Sequence, residues 1–180
     1  MQLITHGEIK PGDLGWAKTT GLLGSLIRFG EWLKFRKADY NHAFTVVGVS
    51  ETGEVHIVEA TLRGVKFSLL SDLLDKGATV EILPPPSHAD RTRIIEFNLK
   101  QVGDHYSLLS DICIALDILT WDNFPSVRRN GTWECSALQM EALRYAGYFA
   151  DWGDIYTVTP TQSYEIVKSC ITPKSSPEQN

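Results

Sequence analysis

The sequence predicts a single domain that mixes a β-sheet with helices, and three observations carry that expectation. Its 180 residues are 43% hydrophobic and 22% charged, enough apolar material for one buried core and too much for a disordered chain. Two β-branched runs between residues 41 and 61 flank a short loop containing glycine, which is the pattern of a hairpin. Segments with apolar residues at helical spacing lie on either side of it.

In chain order, Pro11-Gly12-Asp13 is strong turn chemistry and feeds a short strand through Trp16. Gly21 to Lys37 is apolar and basic together and reads as a helix facing the core in preference to lipid. Asn41 to Val49 and Glu54 to Thr61 are the hairpin strands, joined through Ser50-Glu51-Thr52-Gly53. Leu62 to Phe67 continues as a bend and a short strand, Ser68 to Asp75 as a small helix capped by Ser68 or Ser71, and Ala78 to Leu83 as a further strand closed by three prolines. Arg91 to Val102 is expected as an amphipathic helix, Ser107 to Leu119 as a buried one and 123–131 as a polar loop. Trp133 to Tyr148 reads as a helix stopping near Gly147, and Ile155 to Thr159 as a last strand before Pro160. The domain is expected to run over 1–170, with a frayed tail over 171–180 and no internal repeat.

Composition excludes several classes of function. Seventeen basic against twenty-two acidic side chains leave a net charge of −5, with no broad electrostatic footprint for nucleic acid. No apolar run approaches the roughly 20 residues of a membrane-spanning helix, and the first residues lack the layout of a signal peptide. The expectation is a cytoplasmic chain, with peripheral membrane contact left open through the Gly21–Lys37 segment. Three cysteines, Cys113, Cys135 and Cys170, cannot all pair, and none sits in a metal-ligating spacing, so neither a disulfide scaffold nor a metal or other cofactor is expected.

The hairpin determines which side chains share a face. If Val49 pairs with Glu54, Phe44 stands opposite Glu59, and His42 lies diagonal to Glu59 on the same side of the sheet. Diagonal partners sit about 7–8 Å apart, within reach of long side chains. His56 has the opposite parity and is expected on the other face. An imidazole used for acid–base work needs a carboxylate to fix its tautomer, and Glu59 is the natural orienter for His42.

Cys135 stands apart from the other thiols. In Asn130-Gly131-Thr132-Trp133-Glu134-Cys135-Ser136, a turn with Thr132 as cap puts it in the first turn of a helix, where free backbone N–H groups and the positive dipole end favour a thiolate. Cys113 lies in an apolar helical stretch and reads as a small core residue, and Cys170 lies near the loose end.

These residues together resemble a known family. Pro11-Gly12-Asp13, Tyr40-Asn41-His42-Ala43 opening a valine-rich strand, Val58-Glu59-Ala60, Gly64-Val65, Gly103-Asp104-His105-Tyr106 and Trp133-Glu134-Cys135-Ser136 follow the order of the YiiX-like branch of the permuted NlpC-type papain-like cysteine hydrolases, over about residues 9 to 150. The resemblance implies a circularly permuted papain-like α+β fold, an antiparallel sheet packed against the nucleophile helix. It implies Cys135 as nucleophile, His42 as proton shuttle, Glu59 as orienter and Tyr106 as a substrate- or oxyanion-binding residue. Ala43-Phe44 departs from the family's smaller neighbours of the histidine, and His105 reads as an exposed loop residue. The implied reaction is acyl transfer through a thioester, on a peptide such as a cell-wall peptide or, alternatively, on an acyl lipid or thioester. A binding module that holds a peptide or acyl ligand without turnover is the reading from another class.

Overall fold

The computed structural model describes residues 2–20, 39–106, 132–148, 155 and 158–172. Six strands make one sheet in the order β1-β6-β2-β3-β4-β5, with β1 Gln2–Thr5, β2 Leu14–Lys18, β3 His42–Val49, β4 Val55–Thr61, β5 Gly64–Leu69 and β6 Thr79–Leu83. Four helices accompany them among the described residues: α1 Leu70–Asp75, α2 Arg91–Lys100, α3 Cys135–Tyr145 and α4 Pro160–Ile171. A short ribbon pairs β7 His105–Tyr106 in parallel with β8 Thr132–Trp133. The class is α+β.

Two of these elements correct the sequence reading. The sheet is mixed where an antiparallel one was expected, because β1 joins β6 in parallel while every other neighbouring pair is antiparallel. Once β6 lies beside β2 its outer edge is open, and β1 supplies backbone partners for it. Of the last strand expected over Ile155–Thr159, the described residues Ile155, Val158 and Thr159 form no strand. Val158 N–H bonds to the Ile155 carbonyl at 3.3 Å, and Thr159 becomes the N-cap of α4. Thr159 Oγ1 accepts from the Gln162 N–H at 3.3 Å while Gln162 Oε1 accepts from the Thr159 N–H at 2.9 Å, a capping box with Pro160 at the first helical position. The expected helices Gly21–Lys37 and Ser107–Leu119, the loop 123–131, Cys113 and the tail beyond residue 172 lie outside the described residues.

Strand alternation divides the apolar residues between two cores. Leu14, Trp16, Ala43, Val58, Ala60 and Leu83 pack with Ile94 of α2, Leu138, Met140 and Leu143 of α3, and Tyr164 and Val167 of α4. Ala17, Phe44, Val46, Ile57, Val80 and Ile82 pack on the other side with Leu70 and Leu73 of α1. The first core is tied to α4 by the Trp16 indole N–H, which donates to Ser163 Oγ at 2.8 Å. Buried Glu81 of β6 accepts from the hydroxyls of Tyr40 and Tyr164 and pairs with His6 Nε2 at 3.0 Å, so one carboxylate joins the β1 end, α4 and the approach to β3. Burial opposes its charge, but these donors, Tyr40 foremost, hold its pKa below the usual carboxylate range.

The hairpin register decides which side chains meet at the start of β3. Phe44 stands opposite Glu59, as expected, yet the strand end differs: Val49 pairs with Val55, and a bulge between Val46 and Gly48 absorbs the shift. The loop takes one more residue because Gly53 turns at φ 84°, and Ser50 Oγ accepts the Glu54 N–H at 2.9 Å. The bulge then restores the register before Phe44 is reached.

Gly15 faces Phe44 across β2 and β3, and a Cβ there would overlap the ring. Gly15→Ala is expected to cost about 1–3 kcal/mol by overpacking, with part recovered in the Gly15→Ala, Phe44→Leu double variant. Urea denaturation measures it; a single variant as stable as the parent would show that the ring has room to move.

Candidate active site

Three segments far apart in the chain converge where β3 begins. Cys135 is the first residue of α3, with Glu134 as N-cap at φ −93° and ψ 155°. The cap expected from Thr132 is corrected: that residue belongs to β8, and the chain enters the helix two residues later. Within the first turn Leu138 N–H bonds to the Glu134 carbonyl at 2.9 Å, while the earlier N–H groups, including that of Cys135, have no carbonyl partner inside the helix. The positive end of the helix dipole therefore lies at the sulfur.

Several bonds place this helix start. Trp133 donates its indole N–H to Asp104 Oδ2 at 3.0 Å. The Asp104 carbonyl accepts from Val65 N–H at 2.8 Å, and Gly103 N–H donates to the Val65 carbonyl at 2.9 Å. Gly64, at φ 105°, lets that loop come close, since a Cβ would lie 2.5 Å from the Asp104 oxygen. One turn into α3, Gln139 Nε2 donates to the carbonyls of Phe44 at 2.9 Å and Gly15 at 3.2 Å, pinning the helix to β2 and β3. Ser136 Oγ donates to the Val158 carbonyl at 2.6 Å.

His42 opens β3, with Nε2 2.6 Å from Glu59 Oε2. The Cys135 side chain lies close enough to the same ring to favour its charged form. With Nε2 committed to the carboxylate, Nδ1 is the nitrogen left for sulfur. Strand parity puts His42, Phe44, Glu59, Lys66 and Ser68 on one face, and Cys135, which packs in the core with Ala43, meets the ring at the sheet margin. Burial disfavours a charged His42, but the bonds and negative charge offered by Cys135 and then Glu59 outweigh it, and its pKa rises from 6.5 to about 10. Burial also disfavours ionised Glu59, but His42, Ser68 and Lys66 outweigh that and lower its pKa from 4.5 to about 2.

Glu59 has partners that the sequence reading missed. Its Oε1 accepts from Ser68 Oγ at 2.8 Å and lies 3.0 Å from Lys66 Nζ. Ser68 thus serves the carboxylate and caps no helix; α1 begins after Leu69, whose N–H meets Asp72 Oδ2 at 3.4 Å. A signal for Lys66 was present: if Leu62-Arg63 form a two-residue turn, Thr61 pairs with Gly64 and Glu59 with Lys66, as observed.

The remaining candidates separate clearly. Tyr106 is placed by its backbone opposite Trp133, two residues before Cys135. His105 is exposed, in β7. His56 falls on the face opposite Glu59 and stacks on Phe67 with ring centroids 5.2 Å apart. Cys170 is exposed, away from this constellation on α4. Among the described residues no group of three or more His, Cys, Asp or Glu is disposed to hold a metal ion, and no helix is long and apolar enough to cross a membrane. No protein-family model matches this chain, and no curated protein matches it.

The two pKa shifts have opposite signs and make a pH prediction. Raised His42 contributes stability that is complete below pH 6.5 and lost as pH rises through about 10; lowered Glu59 contributes stability complete above pH 4.5 and lost as pH falls through about 2. The stability difference between the parent and Glu59→Gln is expected to peak between pH 4.5 and 6.5 and to shrink towards both extremes. Chemical denaturation at three pH values tests this, and a difference independent of pH would contradict it.

Proposed function

We propose that this chain is a cysteine hydrolase with Cys135 as nucleophile, His42 as general acid and base, and Glu59 as the group that orients His42. The observation that carries the reading is one imidazole held at 2.6 Å by a buried carboxylate, with the thiol of the first residue of a helix close enough to favour its charge. A permuted papain-like arrangement, in which histidine and acid precede cysteine, accounts for that order, and a peptide of cell-wall type is the substrate class that the family resemblance supplies.

The reaction runs as acyl transfer. The Cys135 thiolate adds to the carbonyl carbon, and the resulting oxyanion is stabilised by N–H groups of the first turn of α3, with Tyr106 assigned to the substrate side. His42, as imidazolium, protonates the leaving amine as its bond to carbon breaks, leaving a thioester on Cys135. Neutral His42 then takes a proton from water as the oxygen attacks the thioester, and the sulfur departs as thiolate with the acid released. Glu59 stays ionised throughout and stabilises each imidazolium.

Cys170, an exposed thiol in the same chain, is an internal reference. With limiting iodoacetamide at pH 6, Cys135 is expected to react at least about tenfold faster than Cys170, and His42→Ala should bring it to within about twofold. Peptide mapping by mass spectrometry reads both. Equal rates in the parent chain would overturn the reading, and hydrolysis of acyl esters or thioesters but not peptides, absent in Cys135→Ala, would redirect the substrate class.

A further inference from the structure

Glu59 offers two oxygens, and the proposed mechanism uses one of them. Oε2 faces the His42 ring; Oε1 is taken by two residues of β5, Ser68 Oγ at 2.8 Å and Lys66 Nζ at 3.0 Å. The pairing register explains the convergence, because Lys66 is directly opposite Glu59 and Ser68 lies two residues further along the same face. The Glu59 side chain is 4% exposed, whereas that of Lys66 is 43% exposed, so a half-solvated cation touches a buried anion.

We propose that Lys66 and Ser68 form a positioning pair that locks the Glu59 carboxylate in one rotation and sets the net charge behind the His42 ring. This rests on the cysteine hydrolase reading and extends it to residues that meet neither sulfur nor substrate. A carboxylate held by one oxygen alone can swing about its last bond and carry the ring with it; donors on the second oxygen remove that freedom. Lys66 also compensates the carboxylate, so that His42, Glu59 and Lys66 together hold one positive charge while the ring is protonated.

The other charged groups on neighbouring elements do not substitute for this lysine. Asp104 is engaged by Trp133, Asp72 of α1 turns back to the Leu69 N–H, and Glu134 is the N-cap of α3. Cys135 meets the ring from α3. Among the described residues, Lys66 is therefore the cation in contact with Glu59 besides the imidazole itself.

Removing the cation from the far oxygen of the carboxylate behind the ring takes a positive charge away from the thiolate as well as from the imidazolium, so the rise of Cys135 reactivity moves to higher pH. Alkylation rates of Cys135 between pH 4 and 11, with Cys170 as reference, are expected to rise to a plateau along a limb shifted upward by about 0.5–1 unit in Lys66→Met and unshifted in Lys66→Arg. Ser68→Ala is expected to lower the plateau about three- to tenfold through loss of alignment. Raising the salt concentration should move the parent profile towards that of Lys66→Met, because the lysine is half in water. Far-UV circular dichroism identifies any variant that fails to fold, and for such a variant the salt series on the parent chain decides the matter.

The outcomes separate the two claims. A parent Cys135 no faster than Cys170 defeats the hydrolase reading. An enhanced Cys135 whose profile is unchanged in folded Lys66→Met and Ser68→Ala, and unmoved by salt in the parent, defeats the positioning pair alone.

Discussion

A carboxylate taken out of water must be surrounded by donors, and Glu59 meets that constraint with three of them on two oxygens. Each donor lies on a neighbouring strand, so satisfying the buried charge and aligning three strands are one problem. His42 comes from β3, Lys66 and Ser68 from β5, and β4 runs between them. The ring is held by one oxygen of an acid whose other oxygen is engaged by Ser68 and Lys66.

The sulfur is delivered by a different set of bonds. Gln139 reads the backbone of both β2 and β3, and the Trp133–Asp104 bond fixes the chain just ahead of Cys135 against the loop that caps β5. Both anchors flank the helix start, one on each side, so Cys135 sits on a helix whose position is set from two directions. Phe44, a bulky side chain two places after His42, is accommodated because Gly15 opposite it leaves room for its ring.

Glu81 provides a second buried carboxylate, built on the same rule and used differently. Tyr40, Tyr164 and His6 saturate it, and Lys168 Nζ donates to the Tyr164 hydroxyl at 2.9 Å. It closes the sheet edge and holds the residue two places before His42. The contrast between the two acids is one of company: the imidazole on Glu59 is buried and lies beside a thiol, whereas Glu81 is held by two phenols and the exposed ring of His6.

Local chemistry carries much of this in the linear chain. Period-two alternation around Gly53 puts His42 and Glu59 on one face with His56 on the other, and a one-residue bulge does not disturb that result because it falls between the turn and Phe44. The helix beginning near Cys135 and the turn before β2 are equally legible, since neighbouring residues decide them. The capping box of α4 is also written locally, in Thr159-Pro160-Thr161-Gln162. Folding alone settled the parallel docking of β1, the enclosure of Glu81 and the meeting of sulfur with ring. Those contacts join segments whose relative placement depends on how whole faces are buried against one another, and no local propensity encodes that placement.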